Sequence, residues 1–319
     1  MNTMASHRIH ASRRESGISL MEMMVGITVG VVCVLVIVQL LSAWESRKRT
    51  TSAGADAQIT GTLASFTLDR DLRLAGYGFG MAEEKMGCAV AAFNATLPTP
   101  VIDFRLRPVE ITKGATAADP DTIRVLYGDS AYFVTRQNVT GGTLDTKKLK
   151  SRDGFQLGDK VILADGASPV RCQLIEVTAQ TPTDIFQIEH KSGESYQPLV
   201  GGPKTASMNP AGGTAANFNS GVAFNLGQAP VLSVWSVDPV RHTLSRYNAM
   251  ANDPATQTVT VAGDVVTFKA QYGIDANDDN QIGTAEWTDT TTALTDWSKV
   301  LAVRFALLVR SRQYERTPD

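Results

Sequence analysis

Hydrophobic and polar positions divide the chain into two regimes. From residue 18 to residue 43 nearly every position is apolar, and Glu22 and the thiol of Cys33 are the only ionisable side chains. At about 1.5 Å per helical residue this run spans the hydrocarbon core of a bilayer with length to spare. Trp44 follows it where an interfacial aromatic belongs. Gly26 and Gly30 form a GxxxG pair, which either lets helices approach closely or reflects the tolerance of membrane helices for glycine. No proline occurs between Ile18 and Leu97, so the helix is expected to continue to about residue 76. In that continuation Ile59, Leu63, Phe66 and Leu74 recur on one face, while Leu68, Leu72 and Ala75 fall nearly opposite. Arg70 interrupts the first stripe, and a helix packing a sheet on one side and sister helices on the other would need both. Gly54 and Gly61 weaken the middle and mark a bend or melted turn. Gly76 and Gly78 supply the stop.

After Met81 the period changes from helical to alternating. Strands are expected at 122–127, 131–135, 160–164, 173–178, 185–190, 231–237, 244–248, 265–274 and 300–309. The clearest is 265–274, where Val266, Phe268, Ala270, Tyr272 and Ile274 alternate with Thr267, Lys269 and Gln271. Many short strands of this kind predict a large antiparallel β-rich domain packed by the second half of the helix, an α+β fold. Residues 201–228, rich in Gly, Ala, Asn and Thr, read as a long surface loop or as a divider between two β lobes. The expected organisation is a leader at 1–17, a membrane helix at 18–44, an amphipathic continuation at 45–76 and the β-rich domain at 77–319.

Composition narrows the function. With 319 residues and 43% hydrophobic content the chain can bury a core. A net charge of −2 and a pI near 6.1 give no general attraction to nucleic acid. Of the three cysteines, Cys33 lies in the apolar run and behaves as a small hydrophobe. If the polar part is exported, Cys88 and Cys172 are the remaining pair and would close a large loop; otherwise they are two buried thiols. Neither has metal or redox spacing. Four histidines are present; His7 and His10 lie in the leader, while His190 and His242 read as surface strand residues with no nucleophile or metal spacing around them. The chain has no GxSxG, HExxH or Walker sequence, and 76–80 lacks the full GxGxxG pattern and follows a helix, so no enzyme is expected.

The segment 275–286 follows the calcium-loop template. Asp275, Asn277 and Asp279 take positions 1, 3 and 5, Gln281 offers a carbonyl at 7, and Glu286 stands at 12 for bidentate coordination. Asn280 replaces the glycine at 6, a substitution asparagine tolerates. The flanks are strand and loop, so the expectation is a Ca2+ loop on a β domain; the plain alternative is an acidic turn.

The N-terminus carries the remaining chemistry. Arg8, Arg13 and Arg14 against Glu15 resemble the charged front of an export signal. The small residue Gly17 precedes the apolar core, so a cut there leaves the helix on the mature chain. Arg47, Lys48 and Arg49 flank the far end, and flanking charge alone leaves the orientation open. Glu22 costs about 2.5–3.5 kcal/mol inside a membrane and needs a partner. Cleavage after Gly17 would create one: the α-amino group of Ile18, one helical turn away, with the helix dipole favouring the carboxylate in the same place.

Gly17, Ser19, Leu20 and Glu22 resemble the G-F-[ST]-L-x-E signal of type IV prepilins and pseudopilins, with Ile18 in place of phenylalanine. The resemblance implies cleavage between Gly17 and Ile18 by an inner-membrane prepilin peptidase and N-methylation of Ile18. It also implies that Glu22 registers the subunit against the N-terminal amine of a neighbour. A second segment, 66–77, resembles the "LxxDLRxAGY" stretch of PilW-type minor pilins, matched by Asp71, Leu72, Arg73, Ala75, Gly76 and Tyr77. What this implies is a pilin-like fold and a minor pilin that takes part in initiation or assembly of type IV pili. Its partners would be other minor and major pilins, met through the N-terminal helix. It would sit in the bacterial inner membrane with a periplasmic C-terminal domain, then in the filament or its tip. The alternatives are a minor pseudopilin of type II secretion and, from another class, a membrane-tethered exported module that binds ligands with calcium.

Overall fold

A computed structural model describes residues 17–80, 83–132, 136–166, 171–196, 208–213, 218–289 and 297–311. Most of the leader and parts of the 201–228 stretch lie outside these residues. The chain divides into two compact units, residues 1–55 with 313–319, and residues 56–312.

In the first unit the described structure is helical from Leu20 onward, part of α1 (Leu20–Leu74). Its apolar side chains are bare on every side: Leu20 is 78% exposed, Val36 49% and Trp44 76%. The mean hydropathy of its most apolar window is 2.7, with none of that window buried. By length and composition this helix can cross a membrane.

The second unit contains the end of α1 and all the strands. They are β1 (Ala89–Phe93), β2 (Val101–Arg105), β3 (Val109–Thr112), β4 (Thr122–Tyr127), β5 (Gln137–Gly142) and β6 (Thr146–Leu149). Next come β7 (Lys160–Asp165), β8 (Cys172–Glu176), β9 (Ala179–Gln180), β10 (Gln187–Glu189), β11 (Gly221–Gly227) and β12 (Val231–Asp238). The last are β13 (Thr243–Asn248), β14 (Val259–Ala262), β15 (Val265–Ile274), β16 (Trp287–Thr288) and β17 (Val300–Val309). They form a sheet of order β2-β1-β8-β7-β11-β5-β6-β10-β9, a second of order β14-β13-β12-β4-β3 and a third of order β16-β15-β17. Pairing is antiparallel throughout except between β1 and β8. The architecture is α+β, one long helix with a β-rich domain.

Burial explains why some strands alternate and others do not. In β7, Ile162 and Ala164 face one apolar cluster while Val161 and Leu163 face another. The middle of the large sheet is therefore covered on both faces, and its strands are continuously apolar. By contrast β15 is buried on one face, where Phe268, Ala270 and Tyr272 join a cluster with Ala64 and Leu68 of α1. Residues 265–274 and 300–309 are strands with the expected limits. The expected strand at 131–135 falls partly outside the described residues.

Two expectations need correction. Gly54 and Gly61 do not interrupt α1, which is helical through both. The expected loop at 201–228 contains β11, which pairs with β7 and β5. Because β12 also pairs with β4, strands from before and after this stretch share two sheets instead of forming successive lobes. Glycine here serves close approach: Gly221 has φ +121°, and a Cβ on it would lie 2.1 Å from the carbonyl oxygen of Ala164.

Cys88 and Cys172 form a disulfide with Cα atoms 5.9 Å apart and a sequence separation of 84. Both sulfurs lie in the core cluster that lines one face of the large sheet. Converting both cysteines to serine is expected to lower the stability of the β-rich unit by about 2–5 kcal/mol. The check is the denaturant midpoint of the oxidised protein against the double variant; equal midpoints would show that the bridge does not constrain the unfolded chain.

Candidate functional site

The start of α1 is built by a local cap. The Ser19 hydroxyl accepts the backbone N–H of Glu22 at 3.4 Å, and the Ser19 carbonyl accepts that of Met23 at 3.1 Å. Ser19 and Glu22 thus have the spacing of a capping box, a second local role for Glu22 that the sequence reading passed over. Ile18 is 75% exposed and Glu22 is exposed, without an ion-pair partner among the described residues.

The other end of α1 is fastened by one carboxylate. Asp71 is fully buried. Its Oδ2 accepts the Ser233 hydroxyl at 2.7 Å and the Trp235 indole N–H at 3.0 Å, and lies 2.8 Å from Nε of Arg246. The Tyr127 hydroxyl approaches Oδ1 at 3.5 Å and itself accepts Nη2 of Arg246 at 3.1 Å. These partners come from β12, β13 and β4, three adjacent strands of one sheet. Burial, reinforced by the negative charge of Asp71, raises the pKa of Tyr127 and keeps its hydroxyl protonated as a donor.

Neighbouring positions each have a distinct task. Leu72 and Ala75 pack against the cluster that holds Ala64 and Leu68. Arg73 points outward and pairs with Asp69 at 2.7 Å. Gly76 adopts φ +83° and ends the helix, its N–H bonded to the carbonyl of Leu126 at 2.9 Å. The Tyr77 hydroxyl donates to the carbonyl of Ser130 at 3.0 Å. The opposite stripe stays bare: Ile59 is 66% exposed, Leu63 58% and Phe66 68%.

The acidic loop is tied by its own amides. Asp275 is buried, and its two oxygens accept the N–H groups of Asp279 at 3.1 Å and Asn280 at 2.8 Å. Asn277 accepts from Asp279 at 3.2 Å, and Asp279 accepts from Gln281 at 2.8 Å. Glu286 folds back to accept from Ala276 at 3.0 Å and Gly283 at 2.7 Å. Asn280 has φ +58°, the left-handed turn the template needs at position 6. Ligand order and backbone shape therefore fit calcium. The carboxylates do not converge: among the described residues no group of three or more His, Cys, Asp or Glu is placed to hold a metal.

His190, expected at the surface, is instead 1% exposed. Burial, with the charge of Lys147 nearby, pushes its pKa down to about 3 and keeps it neutral. Its place at the end of β10 turns the ring inward, which alternation over so short a strand did not reveal.

Residues 234–319 match the family model of the type IV pilus-assembly protein W, PilW. The match supports a PilW-type component of a type IV pilus. It begins within β12 and takes in Trp235 and Arg246, two partners of Asp71, as well as the acidic loop. Nothing among curated proteins or solved structures matches the chain.

Because removing one partner leaves Arg246, Trp235 and Ser233 unsatisfied, Asp71→Ala is expected to destabilise the β-rich unit by about 3–5 kcal/mol. Asp71→Leu combined with Arg246→Met should recover much of that loss. Urea unfolding of the two variants tests this; an Asp71→Ala midpoint equal to that of the parent would show that the carboxylate fastens nothing.

Proposed function

We propose that the chain is a minor pilin that takes part in the initiation or assembly of a type IV pilus. The observation that carries this reading is a long helix whose apolar residues are unpartnered, headed by a lone carboxylate and joined to a chain that matches PilW. A helix bare on all sides from residue 18 to residue 41 is suited first to lipid and then to other helices. Beyond it the stripe of Ile59, Leu63 and Phe66 offers an apolar face for sister subunits, while the face carrying Leu68 and Asp71 is taken by the sheet.

On this reading prepilin peptidase cuts between Gly17 and Ile18, and Ile18 is N-methylated. Glu22 then meets the N-terminal amine of a neighbour and sets its register. The precursor sits in the inner membrane with its C-terminal domain in the periplasm, and the mature chain joins other minor and major pilins in a pilin-like arrangement. Intact-mass measurement of the membrane-extracted protein should show loss of residues 1–17, and Glu22→Val should leave that cut in place while reducing recovery in sheared filaments. An uncut chain, or normal filament incorporation of the variant, contradicts the assembly role.

Calcium binding by 275–286 is a separate proposal. It is supported by the ligand order at positions 1, 3, 5, 7 and 12 and by the left-handed turn at Asn280; binding would draw Asp279 and Glu286 from their amide contacts toward the ion. Calorimetry on the protein lacking residues 1–44 should show calcium uptake that Asp275→Ala weakens, whereas no heat at millimolar calcium removes the proposal.

A further inference from the structure

The cations just beyond the apolar run pose a problem that assembly alone does not answer. Positive residues retained on the exported side of a membrane span oppose the usual charge bias, yet Arg47, Lys48 and Arg49 all follow Trp44. Their positions on the helix separate them into two groups. At about 100° per residue, Trp44, Arg47 and Lys48 share one face, while Arg49 turns away. Arg49 is answered locally by Glu45 at 3.7 Å, an exposed pair at i,i+4. Arg47 and Lys48 are exposed, and neither has an ion-pair partner among the described residues.

Depth along the helix places these two side chains. Glu22 and Trp44 are separated by about 33 Å of helix, close to the roughly 30 Å of hydrocarbon in a bilayer. With Glu22 at one boundary and Trp44 at the other, Arg47 and Lys48 stand about 5–6 Å further out, at the level of the lipid phosphates. The Trp44 ring, 76% exposed, would lie at the boundary beneath them.

We infer that Trp44, Arg47 and Lys48 form a binding site for the headgroup of an anionic phospholipid at the C-terminal end of the membrane helix. The occupant follows from charge complementarity: two uncompensated cations at phosphate depth above an aromatic ring select a lipid of net negative charge over a zwitterionic one. The site rests on the membrane placement proposed above. It holds the subunit at a fixed depth and offsets the unfavourable placement of charge on the exported side.

The test uses the full chain reconstituted in phosphatidylcholine vesicles containing a minority of phosphatidylglycerol, with spin-labelled forms of each lipid as probes. Resistance of the protein to alkaline extraction is measured first. The expected result is a preference for phosphatidylglycerol of several-fold, falling by about fivefold at most for each charge removed in Arg47→Gln and Lys48→Gln, and weakening with salt. Arg241→Gln, a change of equal charge in a distant exposed turn, should leave the preference as it was. A chain that inserts but shows no preference, or keeps its preference in the double variant, overturns the headgroup site alone. An unchanged preference together with loss of sister chains from pull-downs would assign the two cations to protein contacts and likewise overturn it. A chain that is extracted by alkali overturns the membrane placement, and this inference with it.

Discussion

The ion pair between Asp71 and Arg246 is the constraint on which the helix-to-sheet arrangement of the β-rich unit depends. A carboxylate removed from water is costly unless all its lone pairs are used. Here Ser233, Trp235, Arg246 and Tyr127 supply donors from three adjacent strands. Apolar contacts of Ala64, Leu68 and Leu72 hold the helix to the sheet, but such contacts are non-directional and would tolerate a rotated or shifted helix. The carboxylate would not, because a shift of one residue swings it by about 100° away from its donors. Its contribution is therefore specificity of placement more than net stability, in keeping with buried ion pairs generally.

That placement decides which apolar residues remain outside. With Asp71 turned into the sheet, Ala64, Leu68, Leu72 and Ala75 follow it inward, and Ile59, Leu63 and Phe66 lie roughly opposite. Burying each of the latter three would be worth about 1.5–3 kcal/mol, which a lone subunit forgoes. One polar contact at the end of the helix thus determines the surface presented along residues 59–66. The segment around Asp71 and the match at 234–319 are accordingly two halves of one contact, the first holding the acid and the second most of its donors.

How legible all this was in the sequence varied with the kind of signal. Residues 265–274 and 300–309 announced themselves because one buried face produces clean alternation. The apolar run, its leading glutamate and the glycine stop at 76 were equally plain, since each is a local consequence of covalent geometry or solvation. β11 was not legible: Gly221-Val-Ala-Phe-Asn-Leu-Gly227 resembles its glycine-rich surroundings, and only pairing with β7 and β5 makes it a strand. β5 and β6 failed for a related reason, as Gln137-Asn-Val-Thr-Gly-Gly and Thr146-Lys-Lys-Leu carry little apolar pattern of their own. Asp71 was singled out by resemblance, but its burial could not be read from spacing, because its partners lie 56 or more positions away. The acidic loop shows the reverse case: a linear template gave the order of ligands correctly and could not say whether three carboxylates meet.

The two apolar surfaces of α1 answer to different solvents. Along residues 59–66 water is the competitor, so burial against another chain is driven by the hydrophobic effect and needs no polar contact to begin. In the run from 18 to 43 the competitor is lipid, as apolar as the side chains themselves, and moving from lipid to a bundle of helices changes little apolar free energy. On the proposed reading, that exchange must be decided by what lipid cannot satisfy. Within the run the close-packing glycines, Gly26 and Gly30, offer van der Waals contact, and Glu22 offers a charge whose burial cost disappears only beside a cation. A single carboxylate at each end of the helix then performs two related tasks: Asp71 orients the subunit internally, and Glu22 makes departure from the membrane favourable only when a partner is in register.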